Sequence, residues 1–127
     1  MSKTAALRRL VNGALQTVPG ETYHKRPSAT ASYPYKVFRI SSVTFPNSDR
    51  DDLELEVDIW DRNPSNDPKA AEEIADQVEA LFNCAILPEP PLYPAFFREN
   101  RFDLEDPDKN LQHIQLHFTV QLHETEE

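Results

Sequence analysis

Two segments of this chain alternate between apolar and polar residues over most of their length, and this pattern constrains the fold more than any other feature. One runs from Leu53 to Trp60 and the other from about Gln112 to Leu122. Successive side chains of a β-strand point to opposite faces of its sheet, so such alternation is typical of half-buried strands. The apolar positions are Leu53, Leu55, Val57 and Ile59 in the first segment and Ile114, Leu116, Phe118, Val120 and Leu122 in the second. The sequence therefore predicts a sheet with one apolar and one polar face.

Two other segments have the three- and four-residue apolar spacing of amphipathic helices. The first spans residues 4–17 and ends before a Pro-Gly pair. The second follows Asp67-Pro68, which predicts a capping carboxylate and a proline at the first helical position. The apolar stripes contain Leu7, Leu10, Val11, Ala14 and Val18 in the first helix and Ala71, Ile74, Ala75, Val78, Leu81 and Phe82 in the second.

The order of these elements predicts the fold class. A β-rich segment at 35–43 precedes the first alternating strand, and a short strand is expected at 95–102. We therefore expect an α+β fold, with an antiparallel or mixed sheet and two helices packed on one face. At 127 residues the chain has the size of one domain. Exposed loops are expected at about 21–34, 44–52 and 86–94, the last of them rich in proline.

The sequence offers little support for catalysis or for a cofactor. Only two glycines are present, which excludes a glycine-rich phosphate loop. Cys84 is the only cysteine, and we expect it to be a small core residue at the end of the second helix. The carboxylates Glu54, Glu56 and Asp58 alternate along a strand, and we expect a solvated acidic face without a His or Lys partner. We predict that the protein is not an enzyme.

Two patterns that suggest a metal site fail on geometry. His113 and His117 share one strand face, but four residues of a strand span roughly 13 Å, too far for joint chelation. The residues from Asp61 to Glu72 resemble a calcium-binding loop, yet the position that requires glycine holds Asn66. We therefore expect a polar turn there and no metal site.

Charge is distributed unevenly along the chain. Through residue 40 the net charge is +6, whereas the remaining residues carry −15. This asymmetry suggests a surface with a positive and a negative pole, although solvated charge that is merely uneven is the alternative. The net charge of −9 argues against nonspecific nucleic-acid binding. Candidate interface residues on the positive side are Arg8, Arg9, Lys25 and Arg26.

Two aromatic residues are further interface candidates. Trp60 lies on the polar face of its predicted strand, where it either anchors an interface or is covered by the proline-rich arm or another loop. Phe96 and Phe97 are adjacent, so one can enter the core while the other, which we take to be Phe97, needs separate cover. No apolar run approaches the ~20 residues needed to span a bilayer, and the N-terminus lacks signal-peptide features, so we expect folding in a cytoplasm.

Several of these features occur together in a known order: a basic N-terminal helix, Tyr-Pro-Tyr at 33–35, the strand at 53–60, the helical segment at 73–78 and the polar segment at 102–108. In this order the chain resembles the tail terminator, or tail completion, proteins of long-tailed bacteriophages and prophage elements. The segment at 88–94 departs from that pattern, because it is longer and richer in proline.

The resemblance implies a structural subunit of the virion, located at the head-tail junction and assembled in the host cytoplasm. Such a subunit forms a homo-oligomeric ring of six copies, in some cases only on the tail. The ring stops polymerisation of the tail tube protein and presents a surface to head-completion proteins. DNA is then only passing cargo, and no membrane or cofactor is involved. The alternatives are a head-to-tail connector of similar fold and a small ligand-binding or regulatory α+β domain.

Overall fold

A computed structural model of the chain describes residues 3–43 and 51–124. These residues form a six-stranded sheet in the order β1-β2-β3-β6-β5-β4, accompanied by two helices. The elements are α1 (Lys3–Leu15), β1 (Glu21–His24), β2 (Tyr35–Val43), β3 (Asp51–Arg62), α2 (Lys69–Phe82), β4 (Ala85–Ile86), β5 (Leu92–Leu104) and β6 (Leu111–Glu124). Only β1 and β2 pair in parallel, so the sheet is mixed and the α+β prediction is confirmed. Neither described helix is long and apolar enough to cross a bilayer.

The apolar positions of the two alternating strands lie on the same face of the sheet. In the register, Leu55 of β3 lies between Ile40 of β2 and Phe118 of β6. Both helices cover this face, and Phe82 of α2 contacts Phe118 at a centroid distance of 5.4 Å. Each fully buried side chain of this size contributes roughly 1.5–3 kcal/mol. We call the opposite face, which no helix covers, the open face.

A buried lysine fixes the connection between α1 and the sheet. Lys36 of β2 is fully buried, and its Nζ donates to the carbonyls of Val18, Pro19 and Gly20 at 3.0, 2.9 and 2.6 Å. Burial lowers the pKa of Lys36 to about 8. Gly20 has a φ of +95°, and a Cβ there would lie 2.9 Å from the carbonyl oxygen of Pro34. The turn after α1 therefore requires glycine.

The two ends of α2 differ from expectation in detail. The helix begins at Lys69, one residue later than predicted, and Asp67 Oδ1 accepts a hydrogen bond from the Lys69 amide at 3.0 Å. Cys84, expected in the core, is exposed and has a φ of +51°. The helix ends at Phe82, which is the last buried side chain of its stripe. The prediction for Cys84 was wrong because the chain turns away from the core immediately after Phe82.

All three predicted loops include strand residues. The segment 21–34 begins with β1, and the segment 86–94 is shortened by β4 and by the start of β5, so the loops are 25–34 and 87–91. Of the loop expected at 44–52, residues 44–50 lie outside the described residues, and 51–52 belong to β3. Strand β5 is also longer than the predicted 95–102. The charged residues of β5 lie in its C-terminal half. Among them, Arg98 and Arg101 form ion pairs with Glu79 of α2 at 3.3 and 2.6 Å.

Candidate interaction surfaces

A polar network crosses the centre of the open face. Arg39 of β2 donates to Glu56 Oε2 at 2.9 Å and to Asp58 Oδ2 at 3.1 Å, both on β3. Asp58 Oδ1 accepts from Gln115 Nε2 at 3.0 Å and lies 2.6 Å from His113 Nε2. Only 3% of Asp58 is exposed. The expectation of a solvated carboxylate was therefore wrong, because hydrogen bonds from two neighbouring strands surround it.

The network continues along β6 through His117. Its Nδ1 lies 2.6 Å from Glu54 Oε1, and its Nε2 lies 2.8 Å from Gln115 Oε1. His113 and His117 thus each contact a carboxylate of β3, which corrects the prediction that those acids have no His partner. Among the described residues, no group of three or more His, Cys, Asp or Glu side chains is arranged to hold a metal ion.

The environment shifts the pKa values of the two central carboxyls, Asp58 and Glu56, in opposite directions. Burial raises the pKa of Asp58, but hydrogen bonds with His113, Glu56 and Gln115 outweigh burial and lower that pKa to about 2. Burial raises the pKa of Glu56, as does its contact with Asp58, while Arg39 opposes the rise. Asp58 is consequently a buried anion that holds β2, β3 and β6 together.

Trp60 lies at one end of this network, at the wall of a cleft. Its indole stacks on the imidazole of His113, with ring centroids 3.8 Å apart. The cleft has a volume of about 330 Å³, and its other lining residues include Tyr35, Val37 and Pro27. Val37 is 2% exposed and forms an apolar base. The imidazole of His113 therefore covers one face of Trp60, and Pro27 of the 25–34 loop lines the same cleft.

Tyrosines extend the aromatic surface beside Trp60. Tyr35 contacts Tyr23 and Tyr33, with ring centroids 6.1 and 5.3 Å apart. Tyr33 is 40% exposed, and the guanidinium of Arg62 lies 5.7 Å from its ring centre. We call Tyr23, Tyr33, Tyr35 and Trp60 the aromatic cluster. It lies near the β1 edge of the sheet, and arginines adjoin it.

Phe97 lies on β5, away from this cluster. It pairs with Thr119 on the open face and is 37% exposed, whereas Phe96 is fully buried. The prediction that one of the two enters the core is confirmed. Phe102 and Leu104, also on the open face of β5, are 44% and 37% exposed, and the sequence patterns did not indicate these two exposed apolar side chains.

The four predicted basic residues do not form one group. Burial lowers the pKa of His24, and the charges of Arg8 and Lys25 lower it further, so both cations lie near that ring. Arg26 is exposed in the loop that follows, and no described residue forms an ion pair with these three cations. Arg9 instead lies 3.8 Å from Glu89. We call Arg8, Lys25 and Arg26 the basic cluster.

An acidic surface lies across the sheet from the basic cluster. A cleft of about 680 Å³ between the start of α2 and the β5–β6 hairpin is lined in part by Asp103, Glu105 and Asp106. Four strand spacings separate β1 from β5, which is roughly 19 Å. These acidic residues of the β5–β6 hairpin therefore lie apart from the basic cluster.

This chain is similar to a known protein family and to solved structures. A family model described as tail completion protein gp17 matches residues 2–123. Among solved structures, a chain of the virion of a native gene transfer agent particle matches with a TM-score of 0.65 and 10% identity, over 88% of this chain and 83% of its own. Another solved chain matches with a TM-score of 0.69 and 13% identity, over 100% of this chain and 99% of its own. These two structures share the fold. No curated protein sequence matches this chain.

Proposed function

This chain belongs to the tail completion protein gp17 family and is a structural protein of phage tail assembly, and we propose that it closes the end of the tail tube as a ring of six subunits. In this role it stops polymerisation of the tube protein and forms the surface to which the head attaches, at the head-tail junction of the virion. The family match over nearly the whole chain is the observation that carries this proposal.

Separated charge supports a ring of identical subunits. Such a ring needs a heterologous contact, in which one surface of each subunit meets a different surface of its neighbour. The basic cluster at the β1 edge and the acidic surface of the β5–β6 hairpin lie on opposite sides of the sheet. Each subunit can therefore present a cation-rich surface to the anion-rich surface of the next, which favours head-to-tail association.

The network of the open face suits a mechanical role. Asp58 is held by groups from two neighbouring strands, so it stabilises one arrangement of the sheet. The overall acidity of the chain also suits a channel wall through which DNA passes without adhering. In this proposal DNA is only cargo.

Preassembled tail tubes provide the direct test. Purified protein is added to tubes, and negative-stain microscopy records whether a ring appears at one end of each tube. A head-to-tail connector would instead bind heads that lack tails. Rings on such heads, with bare tube ends in the same experiment, would contradict tube capping and favour the connector. A matched sample with bovine serum albumin in place of the protein controls for nonspecific adhesion.

A further inference from the structure

A row of hydrogen bonds on the open face has a carboxylate at each end. At one end, Glu54 Oε1 lies 2.6 Å from His117 Nδ1, and the other ring nitrogen, Nε2, lies 2.8 Å from Gln115 Oε1. At the other end, Gln115 Nε2 donates to Asp58 Oδ1 at 3.0 Å. An ionised carboxylate only accepts hydrogen bonds. The row therefore needs one residue that donates in both directions.

Gln115 cannot be that residue, because its amide donates on one side and accepts on the other. Asp58 is an anion at neutral pH, since its pKa is lowered to about 2, and it fixes the donor side of the amide. Gln115 Oε1 consequently faces His117, whose Nε2 must carry a hydrogen. Its Nδ1 faces the carboxylate of Glu54 and needs a hydrogen as well, and an imidazole is a stronger base than a carboxylate. The geometry therefore requires the imidazolium form of His117.

The charges around His117 suit a cation. Besides Glu54, the neighbouring strand β3 contributes Glu56, whose Oε1 lies 4.0 Å from the ring Nε2. On the other side, β5 contributes Glu99, which accepts from Thr119 on the same face. Arg39 of β2 lies one strand further away and is directed to Glu56 and Asp58. Anionic neighbours favour the charged form of an imidazole.

Loss of one proton from His117 leaves the row one donor short. A neutral ring that keeps its hydrogen for Glu54 presents a lone pair to Gln115 Oε1, so two acceptors face each other at 2.8 Å. Half a turn of the Gln115 amide repairs this contact but directs its oxygen at the carboxylate of Asp58. One hydrogen bond is lost in either arrangement. Because only 17% of the His117 side chain is exposed, water does not readily replace the missing donor.

We propose that His117 is a proton-dependent switch of the open face. In its protonated state the ring fixes the amide of Gln115 toward Asp58. The same carboxylate contacts His113, which stacks on Trp60. Deprotonation of His117 releases the amide, so the hydrogen bonding of this buried anion changes with pH. The switch lies within one subunit and does not depend on the ring proposed above.

Nitrogen NMR of the labelled wild-type protein tests the state of the ring. The histidine ring signals are recorded across the pH range in which imidazoles titrate, and those of His117 are identified by their loss in His117→Gln. At pH 7 we expect hydrogens on both ring nitrogens of His117. His24 should carry a hydrogen on only one nitrogen, because burial and the charges of Arg8 and Lys25 lower its pKa. A single hydrogen on the His117 ring at pH 7 would overturn the proposal.

A charge-neutralising variant tests the row from its exposed end. Glu54→Gln keeps the size of the side chain but removes the carboxylate that the ring contacts. The midpoint of the His117 titration should fall by about one pH unit. Glu72→Gln, at an exposed position of α2, removes the same charge away from the row and should leave the midpoint unchanged. Equal midpoints in these two variants would contradict the contact between Glu54 and the ring.

The side-chain amide of Gln115 reports the switch itself. Its nitrogen and hydrogen signals should move with the same midpoint as the His117 ring in the wild-type protein. In His117→Gln this movement should be absent. Amide signals that stay constant while His117 titrates would show that the proton leaves without moving Gln115, and would overturn the switch.

Discussion

The imidazole of His113 lies almost flat on the indole of Trp60, with centroids 3.8 Å apart and planes at 14°. The same imidazole has its Nε2 2.6 Å from Asp58 Oδ1. A buried carboxylate thus orients the ring that supports Trp60. The polar network and the aromatic cluster are consequently connected, because Asp58 positions His113 and His113 supports Trp60.

This relationship predicts a change in fluorescence. His113→Ala removes the ring that covers one face of Trp60, so the indole becomes more exposed to water. Because Trp60 is the only tryptophan, its emission reports this site alone. We expect a red shift of the emission maximum and stronger acrylamide quenching in the folded variant. His24→Ala, at a histidine outside the cluster, should leave both unchanged. An unaltered spectrum in His113→Ala would show that the stack does not form in solution.

The buried Asp58 predicts a loss of stability in acid. Its pKa falls from the ordinary value of 3.8 to about 2 in the fold, so the ionised carboxylate contributes to stability above pH ~4. That contribution disappears as the pH falls from about 4 to about 2 and amounts to about 2 kcal/mol. Asp58→Asn should lack this component when urea unfolding is measured across the same pH range.

The control for this experiment is Asp103→Asn, at an exposed position of β5. This variant should lose stability in acid to the same extent as the wild type, since it leaves Asp58 in place. Identical pH dependence of unfolding in Asp58→Asn and the wild type would contradict the network as the source of the effect.

Lys36 predicts a large cost of substitution. Lys36→Met retains an apolar stem but leaves the carbonyls of Val18, Pro19 and Gly20 without their buried donor. We expect the free energy of unfolding to fall by about 2 kcal/mol or more, measured by urea denaturation at pH 7. Lys69→Met, at the exposed start of α2, should change it by less than about 0.5 kcal/mol. Equal stability of the two variants would mean that the ammonium does not hold this turn.

Features with a regular period were predictable from the sequence. The alternation of residues 53–60 and 112–122 identified the buried face, and the helical stripe of α2 identified Ala71, Ile74, Ala75, Val78 and Phe82 as buried. The resemblance to tail completion proteins, drawn from the order of the elements, is confirmed by the family match. Periodicity is a local property, so these inferences needed no knowledge of strand order.

Features that depend on strand order were not predictable. The sequence alone predicts a solvated carboxylate at Asp58, because its partners, Arg39 and His113, come from strands that are distant in sequence. Once the order β2-β3-β6 is known, their shared face places a cation and a histidine beside that acid. Strand β1 was missed because it has only four residues and is paired on one side. Cys84 was misplaced because helical spacing does not indicate where the chain leaves the core.

The basic cluster predicts that assembly depends on charge and on salt. Arg8→Glu combined with Lys25→Glu reverses two cations that have no ion-pair partner among the described residues, so the monomer should stay folded. Capping of tubes should weaken at least tenfold. Wild-type capping should also weaken between 0.05 and 0.5 M salt, because the screening length falls below about 10 Å above 0.1 M. Lys69→Glu is the matched control, and wild-type capping by the double variant would contradict a basic contact surface.

The length of tail tubes tests the central claim most directly. Tube protein is polymerised with increasing amounts of this protein, and the lengths are measured by electron microscopy. If the protein terminates the tube, the mean length should fall as its ratio to tube protein rises, and a ring should be present at the ends of the shortened tubes. A length distribution that stays the same at every ratio, in protein shown by circular dichroism to be folded, would contradict the account.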